Sequence, residues 1–128
     1  MRIALLFALP LISLTGSTAV AQAAPIVAVQ LSNFKFAPST ITLDHGRPYV
    51  LRLTNVSDSG HAFVAESFLD AANVAPGDRK AIVEGGIEVL PGQTVEVHLT
   101  APAAGSYKLK CSHAFHKMFG MSGSIVVR

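Results

Sequence analysis

The chain is 128 residues long, 50% hydrophobic and only 14% charged. This suits one globular domain, with or without a targeting segment, and excludes a disordered or low-complexity polypeptide. Ten Lys and Arg stand against eight Asp and Glu, too even a balance for the basic stripe that nucleic-acid phosphates require; a single cysteine excludes an internal disulfide framework, a CxxC redox pair and a cysteine-rich zinc module.

The chain opens as an export signal. Arg2 supplies the positive start, residues 3–14 form an apolar run broken only by Pro10 and Ser13, and Ala19, Ala21 and Ala23 satisfy a small-x-small cleavage rule. The run is short for a bilayer span, and no cysteine lies near the cleavage region to carry a lipid anchor. The expected organisation is a signal peptide at residues 1–21, with residue 23 as the alternative end, and one mature domain at residues 22–128. The expected location is the periplasm. An exported domain with a lone thiol needs a reason for it: dimerisation, burial or a metal.

After the signal, the pattern is that of strands. Residues 26–36 and 39–43 are β-rich. In residues 49–54, Tyr49, Leu51 and Leu53 alternate onto one face. Further β-rich runs fall at 61–64, 80–83 and 87–90. Residues 66–74 are the one stretch suited to a short helix, with Asn73 and Pro76-Gly77 to end it. In residues 94–100, Val95, Val97 and Leu99 face in while Glu96 and His98 face out. In residues 106–111, Tyr107, Leu109 and Cys111 share a face opposite Lys108 and Lys110. Residues 124–127 form the last run. Turn signals at 44–46, 57–60, 75–78, 91–92 and 104–105 separate these segments. Many short strands at close spacing predict an antiparallel sandwich.

The chemistry concentrates between the last two strands. Cys111, His116 and Met121 are spaced C-x4-H-x4-M on one connecting loop. A thiolate, an imidazole and a thioether form a soft donor set, which selects copper over magnesium, calcium or manganese. A second imidazole would complete a His2Cys set with a weak axial Met, the arrangement of an electron-transfer copper site. His61, at the start of a β-run, is the natural supplier. Each residue also has a plainer reading. Cys111 alone reads as a buried core thiol and Met121 as core filler; Met118 competes as the axial donor; His113 reads as an outer or surface residue; His45 and His98 read as solvated.

With these residues the chain resembles the cupredoxins, the small blue copper proteins of the plastocyanin and azurin superfamily. Phe34-Lys35-Phe36 and residues 38–43, residues 51–55 before His61, Pro91-Gly92-Gln93-Thr94, and Gly105-Ser106-Tyr107 leading to Cys111 carry the likeness across residues 26–128. The resemblance implies a Greek-key antiparallel β-sandwich, an all-β fold with one short helix at most. It implies one copper ion per chain, cycling between Cu(II) and Cu(I), held by His61, Cys111, His116 and Met121. It also implies redox donor and acceptor proteins docking near His116, Phe115 and Phe119, with no nucleic acid and no stable membrane insertion. Lys117, Lys108 and Lys110 could steer an acidic partner. Two features depart from the family pattern. Ala62 stands where many members have an Asn tying the first His loop to the Cys loop, a link that the Ser112 hydroxyl could make instead, and His113 is an extra imidazole two residues from Cys111.

The function these residues predict is single-electron transfer, with a periplasmic copper carrier or copper-resistance accessory using the same donors as the alternative. A thiol enzyme needs a base and an orienting partner beside Cys111. No carboxylate or Asn lies near it in sequence, so the chain is not expected to be an enzyme. Multicopper oxidase chemistry would need more His clusters and more domains.

Overall fold

The computed structural model describes residues 12–13, 16–17, 23–113 and 120–128. Most of the expected export signal therefore lies outside the described residues. No helix among them is long and apolar enough to cross a membrane.

Ten strands form two five-stranded sheets packed face to face. They are β1 (Ile26–Ser32), β2 (Lys35–Ala37), β3 (Thr40–Leu43), β4 (Pro48–Asn55), β5 (His61–Val64), β6 (Asn73–Val74), β7 (Gly86–Val89), β8 (Thr94–Thr100), β9 (Gly105–Lys110) and β10 (Ser122–Val127). The first sheet runs β2-β1-β4-β8-β6 and the second β3-β10-β9-β5-β7. The predicted alternation holds. Leu51 and Leu53 of β4 and Val97 and Leu99 of β8 are buried against Ile41, Phe63, Leu109 and Ile125 of the other sheet. Phe36 meets Phe63 edge to face, with ring centroids 6.1 Å apart. On the outer face of the β4–β8 pair, Arg52 bonds Glu96 at 2.7 Å and Thr54 bonds Thr94 at 3.1 Å, as their cross-strand registers require.

The sandwich carries one parallel pair in each sheet, β1 with β4 and β3 with β10. Between β1 and β4 the chain passes through β3 of the other sheet, and between β3 and β10 it crosses between the sheets repeatedly before β9 leads into β10. Hairpins account only for neighbours such as β1–β2 and β9–β10. At the β3–β10 contact a Cβ on Gly123 would sit 2.3 Å from the Ser39 carbonyl oxygen, which accepts the Ser124 N–H at 2.8 Å. Only a residue without a side chain allows this approach.

Residues 66–90 differ most from expectation. The helix α1 is shorter than predicted, Glu66–Ala71, and Asn73–Val74 pair with β8 instead of extending it. So short a helix draws its stability from packing: Phe68 and Leu69 are buried, and Phe68 stacks edge-on against Tyr107 at 5.7 Å. The run at 80–83 is not a strand. A 3-10 helix, Pro76–Ala81, takes its first half, Pro standing at the start where its missing N–H costs nothing, and Val83 makes an isolated bridge to Gly86.

Asp78 ties that 3-10 helix to β8, accepting the His98 backbone N–H at 2.8 Å and facing His98 Nδ1 at 2.8 Å. The backbone N–H first, then the ring, hold the Asp78 carboxyl below its ordinary pKa. A carboxyl depressed by folding contributes stability above its unfolded pKa of about 4, and that contribution is lost as pH falls through the folded value. Asp78→Asn is therefore expected to lower the thermal midpoint at pH 6, and to lower it by less at about pH 3, where the carboxyl carries less of its charge. Melts at the two pH values check this; an equal deficit at both would show that the carboxylate charge is not what matters.

Candidate metal centre

Three of the four predicted donors lie at one end of the sandwich, where β5 begins and β9 ends. His61 and Cys111 are 0% exposed and Met121 is 1% exposed. His116 lies outside the described residues, as do Ala114, Phe115, Lys117, Met118 and Phe119.

Local pairing accounts for each placement. Cys111 follows β9 directly, and its backbone N–H donates to the Met121 carbonyl at 3.0 Å. This bond extends the β9–β10 ladder by one step beyond Lys110–Ser122, so the thiol and the thioether leave the two strands side by side. The expected loop is thus closed at its base by its own terminal donors. His61 opens β5 opposite Val89 of β7. The Ala62 backbone N–H then donates to Cys111 Sγ at 3.4 Å, which brings the sulfur against the first residues of β5. The link between the His61 and Cys111 segments therefore runs through the backbone of the residue that replaces Asn. A backbone donor does not depend on the side chain at 62, and Ser112, expected to supply the link by its hydroxyl, is exposed.

Beneath His61 lies a buried asparagine, Asn55, to which sequence reasoning assigns no role beyond the family likeness of residues 51–55. Asn55 is 0% exposed. Its Nδ2 donates to the carbonyls of Ser59 at 2.7 Å and Val89 at 2.9 Å. Its Oδ1 accepts the Ser57 N–H at 2.9 Å and the Ser57 hydroxyl at 2.7 Å. All four hydrogen-bonding positions of the amide are filled. Its backbone is also held, through Gln93 O and Gly92 N–H. Ser57 Oγ in turn lies 2.9 Å from His61 Nε2. The signal available in sequence was the Asn-x-Ser pattern at a strand end, which favours an Asx turn.

The other described histidines, His45, His98 and His113, face outward. His113 is partly exposed, with Nε2 2.9 and 3.2 Å from the Glu88 carboxylate oxygens. It is engaged with β7 and its surface. His98 pairs with Asp78, and His45 is exposed in its turn. Lys108 and Lys110 line a groove with Glu66 and Glu84, so they form part of a mixed-charge surface. Among the described residues no group of three or more His, Cys, Asp or Glu could hold a metal ion. The described donors are one imidazole, one thiol and one thioether. Buried together, they fit a soft metal such as copper better than an oxygen-seeking one.

The profile of the cupredoxin-like domain matches residues 2–127, and the chain belongs to that family. None of the curated protein sequences matches it. Among solved structures, auracyanin from Roseiflexus castenholzii in its dithionite-reduced form is similar at a TM-score of 0.61 and 20% identity, over 84% of this chain and 99% of that one. Auracyanin A from Chloroflexus aurantiacus is similar at 0.55 and 21%, over 80% and 99%. The multicopper oxidase McoA from Aquifex aeolicus is similar at 0.63 and 14%, over 90% of this chain but 32% of the oxidase. At these identities the likeness is one of fold.

Proposed function

We propose that this chain is an exported copper protein that carries single electrons between redox partners, with His61, Cys111, His116 and Met121 as its metal donors. The observation that carries the reading is the joint burial of His61, Cys111 and Met121 at one end of a cupredoxin sandwich. Auracyanin A, similar in fold, is a blue copper protein. Bound by such a set, copper supplies a one-electron Cu(II)/Cu(I) couple. The chain's own part is to hold the donors still. Cys111 is fixed by its backbone bond to Met121 and by the Ala62 N–H on its sulfur, and His61 by its β-ladder and its ring contact. Donors held by the scaffold move little between oxidation states, which keeps transfer fast. Partners dock around His116, Phe115 and Phe119, and the protein works in the periplasm after losing residues 1–21.

Titrating the mature protein with Cu(II) tests this. One intense visible band saturating at one equivalent is expected, with a reversible one-electron couple and slow loss of copper to a chelator. Protein recovered from the periplasm is expected to begin at Gln22, or at Ala24. Colourless, weak binding would overturn the reading. A coloured complex that lost copper rapidly and showed no reversible couple would mark a copper carrier instead.

A further inference from the structure

We propose that Ser57 is the positioning residue of the centre: its hydroxyl accepts the His61 Nε2–H and so selects the imidazole tautomer whose lone pair is on Nδ1. The inference deepens the proposed function, since it rests on His61 being a metal donor.

The argument is one of proton accounting. The Asn55 amide orientation is settled by its surroundings. Its Nδ2 faces two carbonyl oxygens, those of Ser59 and Val89, which only accept. The other amide atom, Oδ1, faces the Ser57 N–H, which only donates. A flipped amide would fail at all three contacts. Asn55 Oδ1 is therefore an acceptor for the Ser57 hydroxyl at 2.7 Å, and the other oxygen in reach, Ser59 O at 3.0 Å, is also an acceptor. A hydroxyl has one proton. With that proton directed at Asn55 or Ser59, Ser57 Oγ presents lone pairs to everything else, including the Ser59 N–H at 3.3 Å. At 2.9 Å from it, His61 Nε2 must donate. A neutral imidazole with its proton on Nε2 carries its lone pair on Nδ1. The partner of one ring nitrogen decides which nitrogen can bind a metal, and fixes the ring's rotation as well. Here that partner is a mutable side chain on a five-residue turn, itself clamped by a buried amide.

The test reads the ring directly. Imidazole 15N chemical shifts of the full metal-free protein should give His61 as the Nε2–H tautomer. In Ser57→Ala the shifts should move toward a tautomer mixture, and Cu(II) affinity should fall by about 10–100-fold, the usual consequence of losing a ligand's outer partner. The copper hyperfine splitting in the electron paramagnetic resonance spectrum should change too. Ser57→Thr keeps a hydroxyl and should restore all three readouts. An unchanged tautomer in Ser57→Ala overturns the proposal, even if affinity drops, because the loss would then come from the turn. If the parent binds no copper, the functional reading falls while the 15N shifts still decide what Ser57 does to the ring.

Discussion

Cys111→Ser is expected to abolish the visible band of the copper-loaded protein and leave the sandwich folded. The band needs a thiolate that passes electron density to Cu(II). A serine hydroxyl stays protonated at neutral pH and is a hard donor, so it offers neither the transition nor the affinity. Copper binding should weaken by more than the roughly 10–100-fold that an outer partner's loss costs. The fold should survive because size and shape hardly change. The Ala62 N–H, 3.4 Å from the sulfur, would still face an acceptor. The shorter C–O bond lengthens that contact inside a fully buried site, at a cost of about 1–2 kcal/mol. For a domain of about this size that lowers the thermal midpoint by roughly 4–16 °C. Absorption spectra of loaded protein and melts of metal-free protein check the two halves. A band that persisted would remove Cys111 from the donor set.

Asn55→Leu carries the largest expected effect on stability. The two side chains are nearly the same size, so no cavity forms. What is lost is every side-chain hydrogen bond of a residue with no solvent contact. The carbonyl of Val89 and the N–H of Ser57 lose their partner together, and the Ser59 carbonyl and the Ser57 hydroxyl proton are left only with each other. Val89 is a buried strand residue, so its carbonyl is badly placed to find water. The Ser57 and Ser59 groups lie nearer the surface, and water relieves part of their loss. At about 1–3 kcal/mol for each group left unsatisfied, the total should be about 3–5 kcal/mol. The variant should also lose the definition of the turn at 56–60, and with it the hydroxyl beside His61. Urea unfolding of metal-free protein measures the change. A loss below about 1 kcal/mol would mean that the turn holds without the amide.

The parts of this architecture that repeat locally are legible in the sequence. Alternation assigned the inward faces of β4, β8 and β9, because burial on a pleated strand has a period of two residues. The C-x4-H-x4-M spacing marked the β9–β10 connection, whose two described ends, Cys111 and Met121, pair through the backbone. The partnership of β1 with β4 and of β3 with β10 was not legible, because alternation looks the same in parallel and antiparallel strands. Local pattern extends the predicted helix through residues 73–74, yet an edge pairing with Thr100 and Leu99 claims them. Tertiary contact outweighed local propensity there. Ala62 reads in sequence as a lost link, because the contact is made by a backbone N–H, which no side-chain pattern reports. Asn55 looked ordinary because burial of a polar residue at a strand end depends on what folds over it.

Met121 adjoins β10, the last strand, and β10 finds its neighbour β3 more than eighty residues back along the chain. Closing so long a separation is slow relative to local hairpin formation. His61 is likewise fifty positions from Cys111, whereas Cys111, His116 and Met121 stay within one short stretch even when nothing is folded. The denatured chain thus keeps three of the four proposed metal donors together. Copper added early would be captured by that stretch before the imidazole of β5 could reach it. The ion should consequently raise the folding free energy by less than its affinity for the finished protein implies, because a ligand stabilises the native state only by the amount it prefers it over the unfolded one.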